Sequence, residues 1–154
     1  MKRIILAGLA VILALAIFFA VLPPYSDNGQ PLQNQSRVCF QQSCFSVELA
    51  VTPEQQSYGL MNRTHLDADK GMLFVFQQDG VYPFWMKNTL IPLDMIWMDS
   101  NGTVIFIAKN VQPCGMGECP AINPGKNARY VLEVNGGLSD KMGLKVGDST
   151  SMKT

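Results

Sequence analysis

The sequence predicts a mainly β (β-rich α+β) domain, a compact barrel-like or rolled antiparallel sheet with one short helix, behind an N-terminal transmembrane helix. Three observations lead to this fold class: a long uncharged apolar run, several short segments in which apolar and polar residues alternate, and turn signals between those segments. The chain has 154 residues, of which 47% are hydrophobic and 16% charged, so it can bury one domain-sized core.

The apolar run extends from Ile4 to Leu22 without a charged residue and is long enough to cross a bilayer as a helix. Lys2 and Arg3 precede it, so the positive-inside bias puts the amino terminus in the cytoplasm and the rest of the chain outside. We expect residues 1–22 to be a transmembrane anchor or a signal. An uncleaved single-pass anchor is favoured because no A-x-A-like site follows the run, whereas a cleaved signal would give a secreted domain.

Residues 23–37 are rich in Pro, Gln, Asn and Ser, a composition typical of an extended linker. Residues 38–154 are expected to form one extracytoplasmic β-rich domain. Lys plus Arg equal Asp plus Glu at 12 each, so the chain has no basic excess to neutralise phosphates, and no nucleic-acid partner is expected. The expected partners are the membrane, through residues 4–22, and a small ligand or an envelope protein.

The cysteines form two C-x4-C pairs, Cys39 with Cys44 and Cys114 with Cys119. Their even number and short spacing favour two local disulfides, which are stable outside the reducing cytoplasm. A four-thiolate zinc site is the alternative, although such sites usually have C-x2-C spacing. A redox-active pair is less favoured, because the C-x-x-C spacing that lowers a thiol pKa is absent.

The first hairpin and the first helix are predicted from a change in the spacing of apolar residues along the chain. Residues 38–41 and 44–51 have the pattern of a tight hairpin, and the residues from Thr52 to Gln55 then have the pattern of a capping box, with a Pro at the first helical position. We expect a helix from there to about Asn62.

The later elements are short strands. Apolar runs predict strands at 72–76, 84–88 and 130–134, a terminal strand from Val146, and a helical turn at 139–142. The runs 94–99 and 103–109 flank Ser-Asn-Gly and predict a further hairpin. Together these elements predict six or seven strands and one helix.

The candidate ligand site lies between Trp85 and Asp94. In a strand, Trp85 and Lys87 share one face, so an aromatic ring and a cation would stand side by side next to Asn88. Glu54 and Arg63 could join them from the helix, and such a cleft would suit a small polar or sugar-like ligand. The alternative is structural: an ion pair between Lys87 and Asp94, a core Trp85 and an Asn88 that stabilises a turn.

Catalysis has weaker support, and no catalytic residue is assigned. The runner-up function is a hydrolase or transferase acting on envelope material, with Glu54 and Asp94 as acid and base and Lys87 as an electrostatic stabiliser. The single histidine, His65, lies in a polar loop, where its spacing to Asp67 and Asp69 is only a weak cation signal. Copper binding by the scattered methionines is a remote third hypothesis. No cofactor or metal is expected.

The motifs TPEQ and GLMNR in residues 52–63, GMLFVF at 71–76, and FWMKNT and IPLDM in residues 84–95 follow one another at characteristic spacings. With residues 128–134 and 146–148, they resemble domain of unknown function family 192 over nearly all of residues 44–150. The resemblance implies a compact β-rich domain of bacteria and archaea, often behind a signal or anchor. It implies no established activity.

Overall fold

The computed structural model describes residues 36–115 and 117–153, in which seven strands form one sheet with two short helices. The strands are β1 (Arg37–Phe40), β2 (Ser43–Ala50), β3 (Lys70–Gly80), β4 (Leu93–Met98), β5 (Val104–Val111), β6 (Ala128–Asn135) and β7 (Thr150–Lys153). The helices are α1 (Pro53–Tyr58) and α2 (Leu138–Lys141). The predicted mainly β class is therefore confirmed, with a second helix in addition to the predicted one.

The sheet is curled into a half-barrel. Its strand order is β5-β4-β6-β3-β2-β1-β7, so β5 and β7 are the two edges. These edges meet at one end, where Thr103 forms an isolated bridge with Ser149 and the Val104 N–H donates to the Asp148 carbonyl at 2.8 Å. The curl gives the sheet a concave and a convex face.

One strand pair departs from the predicted antiparallel arrangement, because β2 and β3 are parallel. Parallel neighbours need a crossover connection, and α1 together with the loop that follows it provides one. None of the α1 residues is buried. The helix is held instead by Gln56, whose Nε2 donates to the carbonyls of Ala50 and Val75 at 3.3 and 2.9 Å.

The predicted start of α1 is correct and its predicted end is wrong. Thr52 accepts a hydrogen bond from the Gln55 N–H, and the Gln55 side chain accepts from the Thr52 N–H, which completes the capping box. The helix ends at Tyr58, four residues before Asn62, because Gly59 has φ 50° and ψ −132° and leaves the helical region.

One predicted strand is wrong and another begins later than predicted. The segment 84–88 is irregular: Phe84 alone forms a bridge, with Ile122, and Asn88 has φ 54° within a turn. The terminal strand is present but begins at Thr150 and not at Val146, since a turn at 146–147 precedes it. The other predicted strands, the hairpin of β4 and β5 and the helical turn of α2 are all present.

All six residues of β4 are buried, and its alternate residues enter different apolar clusters. Leu93, Met95 and Trp97 belong to the first cluster, and Ile96 and Met98 to the second. The loop segment around Phe84 covers the first cluster, where the Phe84 ring packs edge-on against Phe74 and Trp97 at centroid distances of 4.7 and 5.5 Å. Strand β1 and parts of β5 and β7 border the second.

Both predicted disulfides are present. Cys39 and Cys44 are paired across the β1–β2 hairpin, and Cys114 and Cys119 close a loop that contains two glycines. The thiols are therefore joined in pairs and do not form the zinc site considered as the alternative.

The predicted anchor, residues 1–22, and most of the predicted linker lie outside the described residues. Within the described part of the chain, no helix is long and apolar enough to cross a membrane.

The first disulfide offers a direct test of the hairpin. Replacing Cys39 and Cys44 by alanine should lower the free energy of unfolding by roughly 2 kcal/mol, because the unfolded chain gains the entropy of opening a short loop. Urea unfolding monitored by tryptophan fluorescence measures the change. Replacing Cys114 and Cys119, which have the same separation of five, is the matched comparison. An unchanged unfolding midpoint for the first pair would contradict the prediction.

Candidate functional site

The centre of the candidate site is Glu133, an acid that the sequence analysis did not single out. It lies in β6, the strand between β3 and β4, with Met72 and Met95 as its register partners. Only 4% of its surface is exposed. Because the carboxylate would be poorly solvated there, burial raises the pKa of Glu133 from 4.5 to about 8. Glu133 is therefore mostly protonated at neutral pH.

The Glu133 carboxyl group has no hydrogen bond or ion pair to any residue that the structure describes. In this same part of the chain, no fully enclosed side-chain oxygen or nitrogen lacks a partner. The unpartnered carboxyl oxygens of Glu133 must therefore reach open space. They reach it in a narrow cleft with a volume of about 30 Å³.

We call this cleft the slot, and its lining contains both apolar and polar side chains. Leu60, Phe74 and Phe84 line it together with Glu133 and Thr89. Thr89 is buried, and its hydroxyl is 3.5 Å from the Lys87 carbonyl oxygen, which is long for a hydrogen bond. The slot thus combines apolar side chains with polar ones, and two of the polar groups, the Glu133 carboxyl and the Thr89 hydroxyl, are left largely unused by the protein.

Gly59 makes the slot possible. A Cβ at this position would lie 3.2 Å from the Phe74 ring and 3.8 Å from Glu133 Oε2. The positive φ of 50° also disfavours any other residue. The same glycine that ends α1 therefore brings the chain close to the carboxyl group without covering it.

The slot opens onto a shallow depression of about 500 Å³, here called the shelf, which is lined by Glu54, Ser57, Tyr58, Met61, Trp85, Lys87 and Asn88. Tyr58 and Trp85 are 56% and 46% exposed, unusually high values for large aromatic residues. Lys87 Nζ lies 5.1 Å from the centroid of the Trp85 ring, in cation–π geometry. The Asn62 N–H donates to the Asn88 carbonyl at 2.8 Å and ties the end of the shelf to the α1 loop.

Four of the six predicted site residues therefore meet on the shelf: Glu54, Trp85, Lys87 and Asn88. Glu54 is fully exposed in the first turn of α1. Hydrogen bonds from its own backbone N–H and from Thr52 hold the pKa of this carboxyl below 4.5.

Arg63 lies beside this group and not on the shelf. Its two guanidinium nitrogens donate to the two carboxylate oxygens of Glu48 at 2.5 and 2.6 Å. This bidentate pair lowers the pKa of Glu48 and raises that of Arg63. Arg63 borders a separate shallow cleft with Glu54 and Tyr58.

Asp94 is the sixth predicted residue, and it lines none of the clefts described above. It is fully buried on the β4 face opposite to Met95. Its Oδ1 accepts from the N–H groups of Asn110 and Gly137 at 2.6 and 2.8 Å, and its Oδ2 accepts from the N–H and hydroxyl of Ser139, both at 2.6 Å. The structure thus does not bring Asp94 together with Glu54 or Lys87.

The described residues contain no group of three or more His, Cys, Asp or Glu side chains that could hold a metal ion. His65 is exposed and contacts the Asp67 carboxylate at 2.9 Å.

Sequence comparison places the chain in a family. The profile of domain of unknown function family 192, described as "Uncharacterized ACR", matches residues 36–152. The chain belongs to this family. No curated protein matches it in sequence.

Two crystal structures resemble the chain in both sequence and fold. A "putative transcription regulator" from Sinorhizobium meliloti is 36% identical, with a TM-score of 0.69, over 77% of this chain and 92% of its own. A protein of unknown function from Novosphingobium aromaticivorans is 32% identical, with a TM-score of 0.69, over 86% of this chain and 94% of its own. The family domain and its fold are therefore shared across these proteins.

The raised pKa of Glu133 predicts that the stability of the domain depends on pH. Its pKa is higher in the folded state, so the folded protein binds more protons than the unfolded chain between about pH 4.5 and pH 8. The free energy of unfolding should therefore decline as the pH rises through this window, by up to about 1.4 kcal/mol per pH unit. Glu133→Gln should remove most of the decline in thermal unfolding scans. Glu118→Gln, at an exposed position, is the control, and equal slopes in all three proteins would refute the assignment.

Asp94→Asn should destabilise the domain by about 2 to 4 kcal/mol, because the amide nitrogen cannot accept the hydrogen bonds of one of its two buried oxygens. Asp99→Asn is the matched control. Both hydrogen bonds of Asp99, from the N–H groups of Asn101 and Thr103, go to Oδ1 alone, which asparagine retains. Chemical unfolding of the two variants should separate them clearly, and similar midpoints would argue against the anchoring role of Asp94.

Proposed function

We propose that this protein is an extracytoplasmic binding module for a small polar, sugar-like ligand, which lies on the shelf and reaches into the slot. The observation that carries the proposal is the unpartnered Glu133 carboxyl, which opens into a cleft beside two exposed aromatic rings. A buried polar group without a protein partner is costly, and a ligand that accepts its hydrogen bond would offset that cost.

The shelf supports a ligand with alternating apolar and polar surface. Tyr58 and Trp85 offer ring faces on which an apolar face can stack, while Lys87 and Asn88 offer donors to hydroxyl or carbonyl oxygens. Sugar rings have such surfaces, with C–H groups on their faces and hydroxyls around their edges.

The two disulfides support a location outside the reducing cytoplasm. With the apolar run at residues 4–22, they favour a domain attached to the outer side of the membrane. The description of the Sinorhizobium protein as a "putative transcription regulator" finds no electrostatic support in this chain. The 12 basic and 12 acidic residues leave no charge excess for binding phosphates.

A ligand screen by thermal shift tests the proposal. The full-length chain, purified in a mild detergent, would be heated with panels of oligosaccharides, amino acids, nucleotides and nucleic acid. We expect a sugar class to raise the melting temperature, by an amount equivalent to about 2.7 kcal/mol at a hundredfold excess over Kd.

The variant Trp85→Ala should abolish this rise, whereas Val146→Ala should preserve it, because Val146 is also an exposed apolar residue but lies outside the shelf. The proposal fails if no sugar shifts the melting temperature, or if the shift is the same in Trp85→Ala.

A further inference from the structure

We propose that the ligand of the shelf and slot is an N-acetylated amino sugar, whose ring lies on Trp85 and Tyr58 and whose acetamido group enters the slot above Glu133. This inference rests on the proposed function and specifies its ligand class. Three observations support it: the size of the slot, the arrangement of its polar and apolar groups, and the protonation of Glu133.

Size separates the two parts of the site. Pockets that enclose a whole small molecule usually have volumes of roughly 300 to 1,000 Å³. The slot, at about 30 Å³, is far smaller than this range and has room for only a few atoms of one substituent, whereas the shelf, at about 500 Å³, lies within the range and has room for rings. The two regions share Ser57, Tyr58, Met61, Trp85 and Lys87, so a single ligand can occupy both.

The groups of the slot match those of an acetamide. The protonated Glu133 can donate its O–H to the acetamido carbonyl, and the weakly engaged Thr89 hydroxyl can accept the amide N–H. The methyl group would then contact Leu60, Phe74 or Phe84, which gain apolar contact without losing a hydrogen bond. The hydrogen-bond acceptor of the substituent thus faces a donor of the protein, and its donor faces an acceptor.

Other substituents fit less well. A hydroxyl would use the acid but leave the apolar side chains of the slot in contact with water, and a free ammonium could be neutralised there only if Glu133 gave up its proton, which burial disfavours. The other titratable groups that line the slot are Tyr58 from α1 and Lys87 from the loop before β4, while β3 and β4 contribute only apolar neighbours of Glu133. The Lys87 ammonium would also repel a ligand cation.

Isothermal titration calorimetry on the full-length chain tests the inference with three matched trisaccharides: N-acetylated chitotriose, its deacetylated form and cellotriose. All three have the same linkage and ring faces and differ only in the substituent. At about pH 6.5 we expect the N-acetylated chitotriose, called chitotriose below, to bind at least about tenfold more tightly than the other two sugars. The amide of N-acetyllysine, which has the acetamido group but no sugar ring, should bind weakly.

The variant Glu133→Gln keeps a hydrogen-bond donor of the same size but does not titrate. The preference of the wild-type protein for chitotriose should therefore decline above about pH 8, as Glu133 loses its proton, and Glu133→Gln should keep its preference at every pH. Glu133→Leu, which has no donor, should lose the preference. Thr89→Val should reduce it without changing its dependence on pH.

The possible outcomes separate this inference from the proposed function. If chitotriose and cellotriose bind with equal affinity, and Trp85→Ala abolishes the binding of both, the acetamido assignment is overturned and sugar binding is retained. Tighter binding of the deacetylated sugar, or binding of N-acetyllysine as tight as that of chitotriose, would also overturn it. The absence of binding to all of these probes would overturn the acetamido assignment, and the proposed function would then be decided by the thermal-shift screen of the wider sugar panel.

Discussion

The constraint on which the rest of the structure depends is the complete burial of β4. Both faces of this strand are covered, so it joins the two apolar clusters, and its one ionisable residue, Asp94, has to be satisfied inside the protein. Backbone groups from a bulge in β5 and from the start of α2 meet this carboxylate. Because each oxygen accepts two hydrogen bonds, Asp94 fixes where β5 bends and where the chain turns after β6, and it is placed for architecture more than for ligand contact.

Glu133 is also a buried acid, but unlike Asp94 it has no hydrogen bonds to the described residues. Asp94 receives four hydrogen bonds, whereas Glu133, in the adjacent strand, receives none from the described residues and has its pKa raised to about 8 by burial. An apolar residue would pack there without this cost, so the arrangement lowers stability at neutral pH. Groups with strongly perturbed pKa values are concentrated at functional sites, and the contrast between the two acids is the physical reason for assigning function to one and structure to the other.

The sequence predicted what depends on local pattern. The capping box of Thr52 and Gln55, the hairpin around Asn101 and the disulfides follow from short-range chemistry, and all are present. The parallel pairing of β2 and β3 depends on contacts between distant segments, which periodicity does not encode. The shelf was anticipated in part, since Trp85 and Lys87 do meet, though in an irregular loop. Glu133 was missed, although it is the single charged residue in the apolar run YVLEV. Had this strand been predicted to be buried on both faces, that charge would have identified Glu133 as a buried acid.

The position of β1 in the sheet has a consequence for how the protein is made. This strand lies between β2, its immediate neighbour in the chain, and β7, the last strand, with Arg37 paired to Lys153. Strand β1 therefore keeps one open edge until residues 150–153 join the sheet, and their pairing requires closure of a loop of over a hundred residues. Until that step, the folding domain presents an unpaired β edge on which another chain could pair.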